Sequence, residues 1–240
     1  MSDAERIRQL SERLEALSRG IQRLEDVKAI RHLHHAYGYF IDKCLYDEAV
    51  DLFADDAELR FLNGVYVGKA GVRRLYCDWF RNYFTEGHNG PKHGFLLDHL
   101  QMQDIIDVAP DGRTALARFR ALMAAGTHDT MTGVIEGFPR QCWEGGIYEN
   151  QYVKDNGVWK IKLLNYNMLW QANYEEGWAH SGVHLMPFKE TYPANPIGPD
   201  RIVPEIPAVW PRTRVLAFHY PHPVTGRPIA VPPDGDKPAG

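Results

Sequence analysis

The sequence predicts an α+β protein: helices first, then a curved antiparallel sheet, then a proline-rich tail. Three observations predict it. An apolar periodicity of helical spacing runs from residue 6 to about 40. Four long strand-like runs follow between residues 95 and 169, paired by glycine-containing turns. From Pro187 onward the chain holds thirteen of its sixteen prolines.

In the first helix Ile7, Leu10, Leu14, Leu17, Ile21 and Leu24 alternate steps of three and four, an a/d seam. The spacing tightens at Val27, Ile30 and Leu33, where the helix should enter the domain proper. The plain expectation is packing on its own domain. The sharper one is that Ile7 to Leu24 packs on a second subunit, because a projecting helix has little of its own domain to cover. That gives a homo-oligomer, a dimer or trimer. Residues 1–25 then form a projecting helix, 26–186 the main domain and 187–240 the tail.

A short helix is expected from Tyr46 to Phe53, then extended runs at 57–62 and 65–67 around the hairpin signal Asn63-Gly64. Residues 69–84 read as a helix with Val72, Leu75, Tyr76, Trp79 and Tyr83 along one side, and 85–91 as a loop. Strands are expected at about 95–108, 113–125, 145–155 and 158–169, with turns at Pro110-Asp111-Gly112 and Asp155-Asn156-Gly157. Gly126 to Gly146, with Gly133, Gly137, Pro139 and the pair Gly145-Gly146, reads either as a lid over a cavity or as a solvated loop. The tail carries Tyr192, Trp210, Phe218 and Tyr220, for which a free tail has little use, so it is expected to wrap the domain or a neighbouring subunit.

Composition excludes several classes. A net charge of -4 gives no electrostatic case for nucleic acid. No apolar run reaches the roughly 20 residues of a membrane span. The start, Met1-Ser2-Asp3-Ala4-Glu5-Arg6, has no signal-peptide pattern. Cys44, Cys77 and Cys142 are few, odd in number and far apart, which suits a reducing cytoplasm. His32, His34 and His35 suggest a metal at first sight. Only His32 and His35 share a helix face, with no carboxylate or cysteine placed to complete a set, so no metal is expected.

Over roughly residues 25–170 the chain carries a set of marks: the helix ending in Asp42, then Tyr46-Asp47, Leu52-Phe53-Ala54-Asp55-Asp56, Gly64 and Gly68-Lys69, and His99 leading into Ile105-Ile106-Asp107 and Asp111-Gly112-Arg113-Thr114-Ala115. In these the chain resembles SnoaL-like proteins of the NTF2-like superfamily, scytalone dehydratase and its relatives among them. The resemblance implies an NTF2-like cone, in which helices close the open end of a strongly curved sheet around a small molecule. It implies enzymes that work with side chains alone, without a cofactor. Asp42 stands where scytalone dehydratase and its relatives put a cone-facing Asp, and His99 where they put their catalytic His. A carboxylate beside an imidazole fixes its tautomer and raises its basicity, so the ring can move protons near neutral pH.

Other residues are candidates by chemistry. Arg118 and Arg120 share one strand face. Inside a cone they would stabilise a substrate phenolate; the plain expectation is a solvated sheet face beside Glu149 or Lys162. Tyr37 and Tyr39 precede Asp42, and Tyr148, Tyr152, Asn165 and Tyr166 lie on the last two strands, where phenols and an amide can hold a hydroxyl or oxyanion. Trp79, Phe80, Trp143 and Trp170 offer a flat apolar wall, and His93 a second proton carrier. The long first helix and the aromatic, proline-rich tail resemble the layout of bacterial lyases that release formaldehyde from lignin-derived diaryl compounds. The expected function is therefore a cofactor-independent lyase on a small aromatic substrate, giving a stilbene through a quinone methide. The alternatives are a dehydratase or isomerase, and a non-catalytic binding protein or dioxygenase small subunit.

Overall fold

The computed structural model describes residues 2–132, 135–180, 186–204 and 208–232. Helix α1 (Asp3–Asp42) opens with a capping box: the Ser2 hydroxyl accepts from the Glu5 amide and the Glu5 carboxylate accepts from the Ser2 amide. Its two halves differ. The seam residues Ile7 to Leu24 are all exposed, from Ile21 at 57% to Leu24 at 72%. From Asp26 onward the helix turns Ile30, His34, Tyr37, Gly38 and Ile41 into the core.

Helix α2 spans Tyr46–Asp51, and Phe53 already opens strand β1 (Phe53–Phe61), so the short helix ends earlier than its apolar spacing predicted. The following turn is Leu62-Asn63, because Phe61 pairs with Gly64, the first residue of β2 (Gly64–Val67). Gly64 is needed there for room: a Cβ would lie 2.8 Å from the Phe188 ring. The next helical stretch is α3 (Gly68–Arg73), a π-helical segment (Arg74–Phe80) and α4 (Arg81–Thr85). Then come the long strands β3 (Phe95–Val108), β4 (Thr114–Thr127), β5 (Gln141–Asp155) and β6 (Val158–Asn173), and the short β7 (Arg201–Ile202). Gly145-Gly146 therefore lies inside β5 and not in a loop. Of the segment expected to interrupt two strands, residues 128–140 remain outside them, and Gly133 lies outside the described residues.

The sheet order is β3-β4-β5-β6-β1-β2-β7. Every neighbouring pair is antiparallel except β1–β6, which is parallel. Hairpin turns predict only the direction of strands that follow one another, and β1 and β6 are far apart in sequence. Register shifts near Gln101, Gly145 and Gln151 bend the long strands, which wraps the sheet around its contents. On β4 the alternation is strict over Ala115, Ala117, Phe119, Ala121, Met123 and Ala125, all buried on the concave side under α1.

The tail lies along its own domain. Asn63 accepts from the Phe188 amide and donates to its carbonyl, at 2.8 and 3.1 Å. Arg74 donates to the Gly198 carbonyl and pairs with Asp200 at 2.6 Å. β7 adds to the edge of β2, and the Trp210 amide donates to the Leu169 carbonyl.

Candidate active site

The concave face of the sheet, the end of α1 and the π-helical segment enclose an apolar cavity of about 100 Å³. β3 points Leu97, His99 and Gln101 toward α1, since alternate residues share a face. Asp42, the last residue of α1, meets His99 there. One carboxylate oxygen accepts from the His99 backbone amide at 2.7 Å and lies 3.2 Å from ring Nδ1. Both side chains are largely covered, Asp42 at 8% exposure and His99 at 14%. With Nδ1 turned to the carboxylate, Nε2 is the atom left for proton transfer.

Behind the pair stands a buried network. Gln101 donates to the His99 carbonyl at 3.3 Å, and its amide oxygen lies 2.9 Å from His34 Nε2. His34 Nδ1 meets the Tyr152 hydroxyl at 3.1 Å, and its ring stacks on Phe119. Complete burial pushes the His34 pKa down to about 3, so the ring is neutral at any ordinary pH. Gly38 lets α1 approach: a Cβ there would lie 2.6 Å from Gln101 Cγ.

Arg60 and two polar clusters also line the cavity. The Tyr37 and Tyr76 hydroxyls are 2.7 Å apart. Burial, then the neighbouring phenols, push the pKa of Tyr37 and of Tyr148 well above the ordinary value, so both stay protonated. The Glu144 carboxylate, 3% exposed, accepts from the Tyr166 hydroxyl at 2.6 Å and from the Gln171 amide. Trp79 and Phe80 form the apolar wall, and Phe138 of the 128–140 segment packs against Phe84 and Phe95 to cover it.

The structure thus brings together Asp42, His99, Tyr37, Trp79, Tyr148 and Tyr166. The other expected residues lie elsewhere. Arg118 and Arg120 alternate with the buried β4 residues and face the convex side. Arg118 pairs with Glu149, donates to the Leu216 and Ala217 carbonyls and sits 4.3 Å over the Phe218 ring. Tyr39 is 73% exposed, one residue off the inner face of α1, and lines an outer cleft with Asp42 and His99 rather than the apolar cavity. His93 is exposed and its Nε2 lies 3.0 Å from the Thr130 hydroxyl. Asn165 points to a second, outer chamber, and Trp170 packs with Trp178 and Gly145 outside the cavity.

Sequence reasoning missed Glu144, Tyr76, Gln171 and the His34–Gln101 support. One signal was available. Gly145-Gly146 sits inside a strand because Cβ atoms there would lie 2.1 Å from the Trp170 indole and 2.5 Å from the Tyr166 ring, so the pair marks crowding beside Glu144. Among the described residues, no three His, Cys, Asp or Glu side chains gather as a metal site. No described helix is long and apolar enough to cross a membrane.

A curved sheet closed by helices over an apolar cavity with one His–Asp pair at its rim defines a small-molecule cone. The SnoaL-like domain family matches residues 22–165, and the chain belongs to that family, within the NTF2-like superfamily. No curated protein matches the chain in sequence. Among solved structures, a type 2 hexachlorocyclohexane dehydrochlorinase superposes with a TM-score of 0.53 at 19% identity, over 71% of this chain and 99% of its own. The type 3 enzyme from Novosphingobium barchaimii LL02 gives 0.53 at 19%, over 70% and 99%. A provisionally named scytalone dehydratase from Novosphingobium aromaticivorans DSM 12444 gives 0.51 at 19%, over 65% and 91%. At these identities the likeness establishes the shared fold.

Proposed function

We propose that this chain is a cofactor-independent lyase that deformylates a small diaryl substrate to a stilbene. The observation that carries the reading is His99: its Nδ1 is held by Asp42 while the ring lines an apolar cavity walled by aromatic residues. In this reading protonated His99 gives its proton to the benzylic hydroxyl of a bound phenolate. Water leaves as the phenolate electrons form a quinone methide. Neutral His99 then takes the proton of the terminal hydroxyl. The carbon–carbon bond breaks, formaldehyde departs, and the bond electrons restore the phenolate of the stilbene. The Tyr37–Tyr76 hydroxyl pair replaces the outward-facing arginines as the group that steadies the phenolate oxygen.

Incubation of the protein with hydroxylated diaryl propanoids, with formaldehyde and stilbene absorbance followed together, tests this. Both products should appear in equal amounts and vanish in His99→Ala. Absorbance change without formaldehyde would shift the reading to a dehydratase or isomerase using the same pair. Absence of turnover across the panel would favour the binding-protein alternative. We further propose that the exposed Ile7–Leu24 seam packs against the same helix of a second copy, because six aligned apolar side chains have no cover in one chain. Leu14→Asp with Leu17→Asp should then leave a monomer by light scattering; an unchanged mass would refute it.

A further inference from the structure

One row of the sheet sets four cavity side chains in line. His99 on β3 pairs with Met123 on β4, Met123 with Glu144 on β5, and Glu144 with Gln171 on β6. Directly opposed residues share a sheet face, and all four line the cavity. His99 and Glu144 thus stand two strand spacings apart, about 10 Å at their Cα atoms, with Met123 between them.

The reaction above gives Glu144 no task. Its side chain is buried, and its two oxygens accept from the Tyr166 hydroxyl at 2.6 Å and from the Gln171 amide, both neutral donors. Among the described residues no lysine, arginine or histidine lies within ion-pair distance of it, and Arg60, which also lines the cavity, pairs with Glu58 at 2.6 Å. A purely structural role would be met by a glutamine, whose single oxygen can accept both bonds without a charge to bury. An ionised carboxyl group has about four acceptor positions, and two of them are filled. The arrangement is also fixed from behind: a Cβ at Gly146 would lie 2.5 Å from the Tyr166 ring, so glycine leaves the room from which that hydroxyl reaches Glu144.

Position says which group would fill the free acceptor sites. The Tyr148 ring stands between those of Tyr37 and Tyr166, at centroid separations of 6.1 and 4.7 Å, so the Tyr37–Tyr76 hydroxyl pair and Glu144 belong to one wall. In a phenol whose para carbon bears the benzylic hydroxyl, the two oxygens lie at opposite ends of one ring. A ring lying on Met123 can place the benzylic end at His99 and the phenol end at Glu144. A carboxylate in an apolar surround repels a phenolate that arrives ionised and accepts from a phenol that arrives neutral.

We propose that Glu144 receives the phenolic hydroxyl of the substrate and takes its proton, so that the substrate enters as a neutral para-substituted phenol with a free O–H. The O–H proton passes to Glu144, and the oxygen's electrons form the quinone methide as water leaves with the proton of His99. When carbon–carbon cleavage restores electrons to that oxygen, Glu144 returns the proton. The phenolate of the reaction above is thus made in the cavity rather than bound from solution, and a phenol methyl ether is not a substrate. The inference rests on the lyase reading above.

Isothermal calorimetry on the whole protein would compare p-cresol with p-xylene, which has the same shape but a methyl group in place of the hydroxyl. The cresol-to-xylene affinity ratio should be at least about tenfold higher in the parent than in Glu144→Met, the scale of a hydrogen bond to a charged group. Glu144→Gln, which keeps the shape and a neutral acceptor, should lie between the two and serves if the methionine variant does not fold. The same ratio in parent and variants would overturn the hydroxyl receptor while the cavity reading stands. If neither ring binds, the aromatic-cavity reading fails and the receptor with it. The proton step is tested by turnover of the hydroxylated diaryl propanoids. Glu144→Gln should lower kcat by about 10²-fold, the lower reach of general-base catalysis. Fluorines beside the phenol oxygen, which acidify it, should recover at least about tenfold of that loss in the variant and change the parent little. An undiminished rate in the variant, or a loss that fluorination does not relieve, would overturn the base role. If the parent turns over none of these compounds, the lyase reading fails and the proton step with it, and the calorimetry still decides the receptor.

Discussion

The two faces of β4 and β5 carry similar residue types to different ends. On the concave face polar groups are few and face the cavity: Glu144 holds Tyr166, and Tyr148 lies beside Tyr37. On the convex face Arg118, Glu149 and the tail's His219 form a clamp. Arg118 reaches two tail carbonyls and the Phe218 ring, and His219 lies 3.3 Å from Glu149 and 3.4 Å from Asp107. A polar residue inside has few partners and an apolar surround, so its remaining capacity is turned on whatever enters. A polar residue outside is answered by the chain itself. Chemistry should therefore depend on the concave set, and attachment of the tail on the convex set.

The largest effect should come from the concave pair. His99→Ala should lower kcat by about 10²–10⁴-fold, the usual reach of general acid–base catalysis. Asp42→Asn should also cost on the order of 10²-fold, because an amide keeps the position but not the charge that orients the ring. Circular dichroism should show both variants folded. Full activity in either would break the assignment of proton transfer to this pair.

The second effect concerns stability. His34 is neutral in the native state down to pH about 3, while in the unfolded chain its pKa is near 6.5. Below about 6.5 the unfolded state takes up a proton that the native state refuses, so stability falls as pH falls toward 3. The loss approaches about 1.4 kcal/mol per pH unit at full effect. Urea unfolding between pH 7.5 and 4.5 should give a shallower pH slope for His34→Gln than for the parent. Equal slopes would mean that His34 accepts a proton in place.

How far the sequence foretold this division depends on which kind of signal each residue left. Periodicity marked α1 and the long strands, and a resemblance in motif placed Asp42 and His99 on one site. Both are local or near-local patterns. The face of Arg118 and Arg120 depended on strand phase, and the apolar Leu116 and Leu122 on that same face blurred it; both arginines turn outward. Tyr39 failed for the same reason on a helix, being two residues from Tyr37 and hence off its face. Glu144 stood next to two glycines that read as a loop, so its burial was invisible until β6 was placed against it. The outer chamber could not be read at all, because it forms only where the tail returns over β6.

The clamp gives the third effect. Arg118→Ala should cost about 1–3 kcal/mol, since Glu149, 18% exposed, loses its guanidinium partner and two tail carbonyls lose a donor. The variant should melt earlier and be cut sooner by protease near residues 216–220. Its kcat/KM should stay within about threefold, because the changed contacts lie outside the cavity; a larger fall would mean that the tail shapes the cavity through the sheet.

The smallest effect, and the sharpest control, is Arg120. It lies two residues from Arg118 on the same convex face, yet its side chain is exposed and no ion pair holds it among the described residues. Exposed charges of this kind contribute within about 0.5 kcal/mol. Arg120→Ala should therefore leave melting temperature, protease cutting and kcat/KM all at the parent values. A selective fall in kcat/KM with unchanged stability would show that a convex-face cation reaches the reaction, and the division between the two faces would fail at that residue. If both Arg118→Ala and Arg120→Ala behave as expected, two arginines alike in sequence context are separated by their partners alone, which is what the alternation of β4 requires.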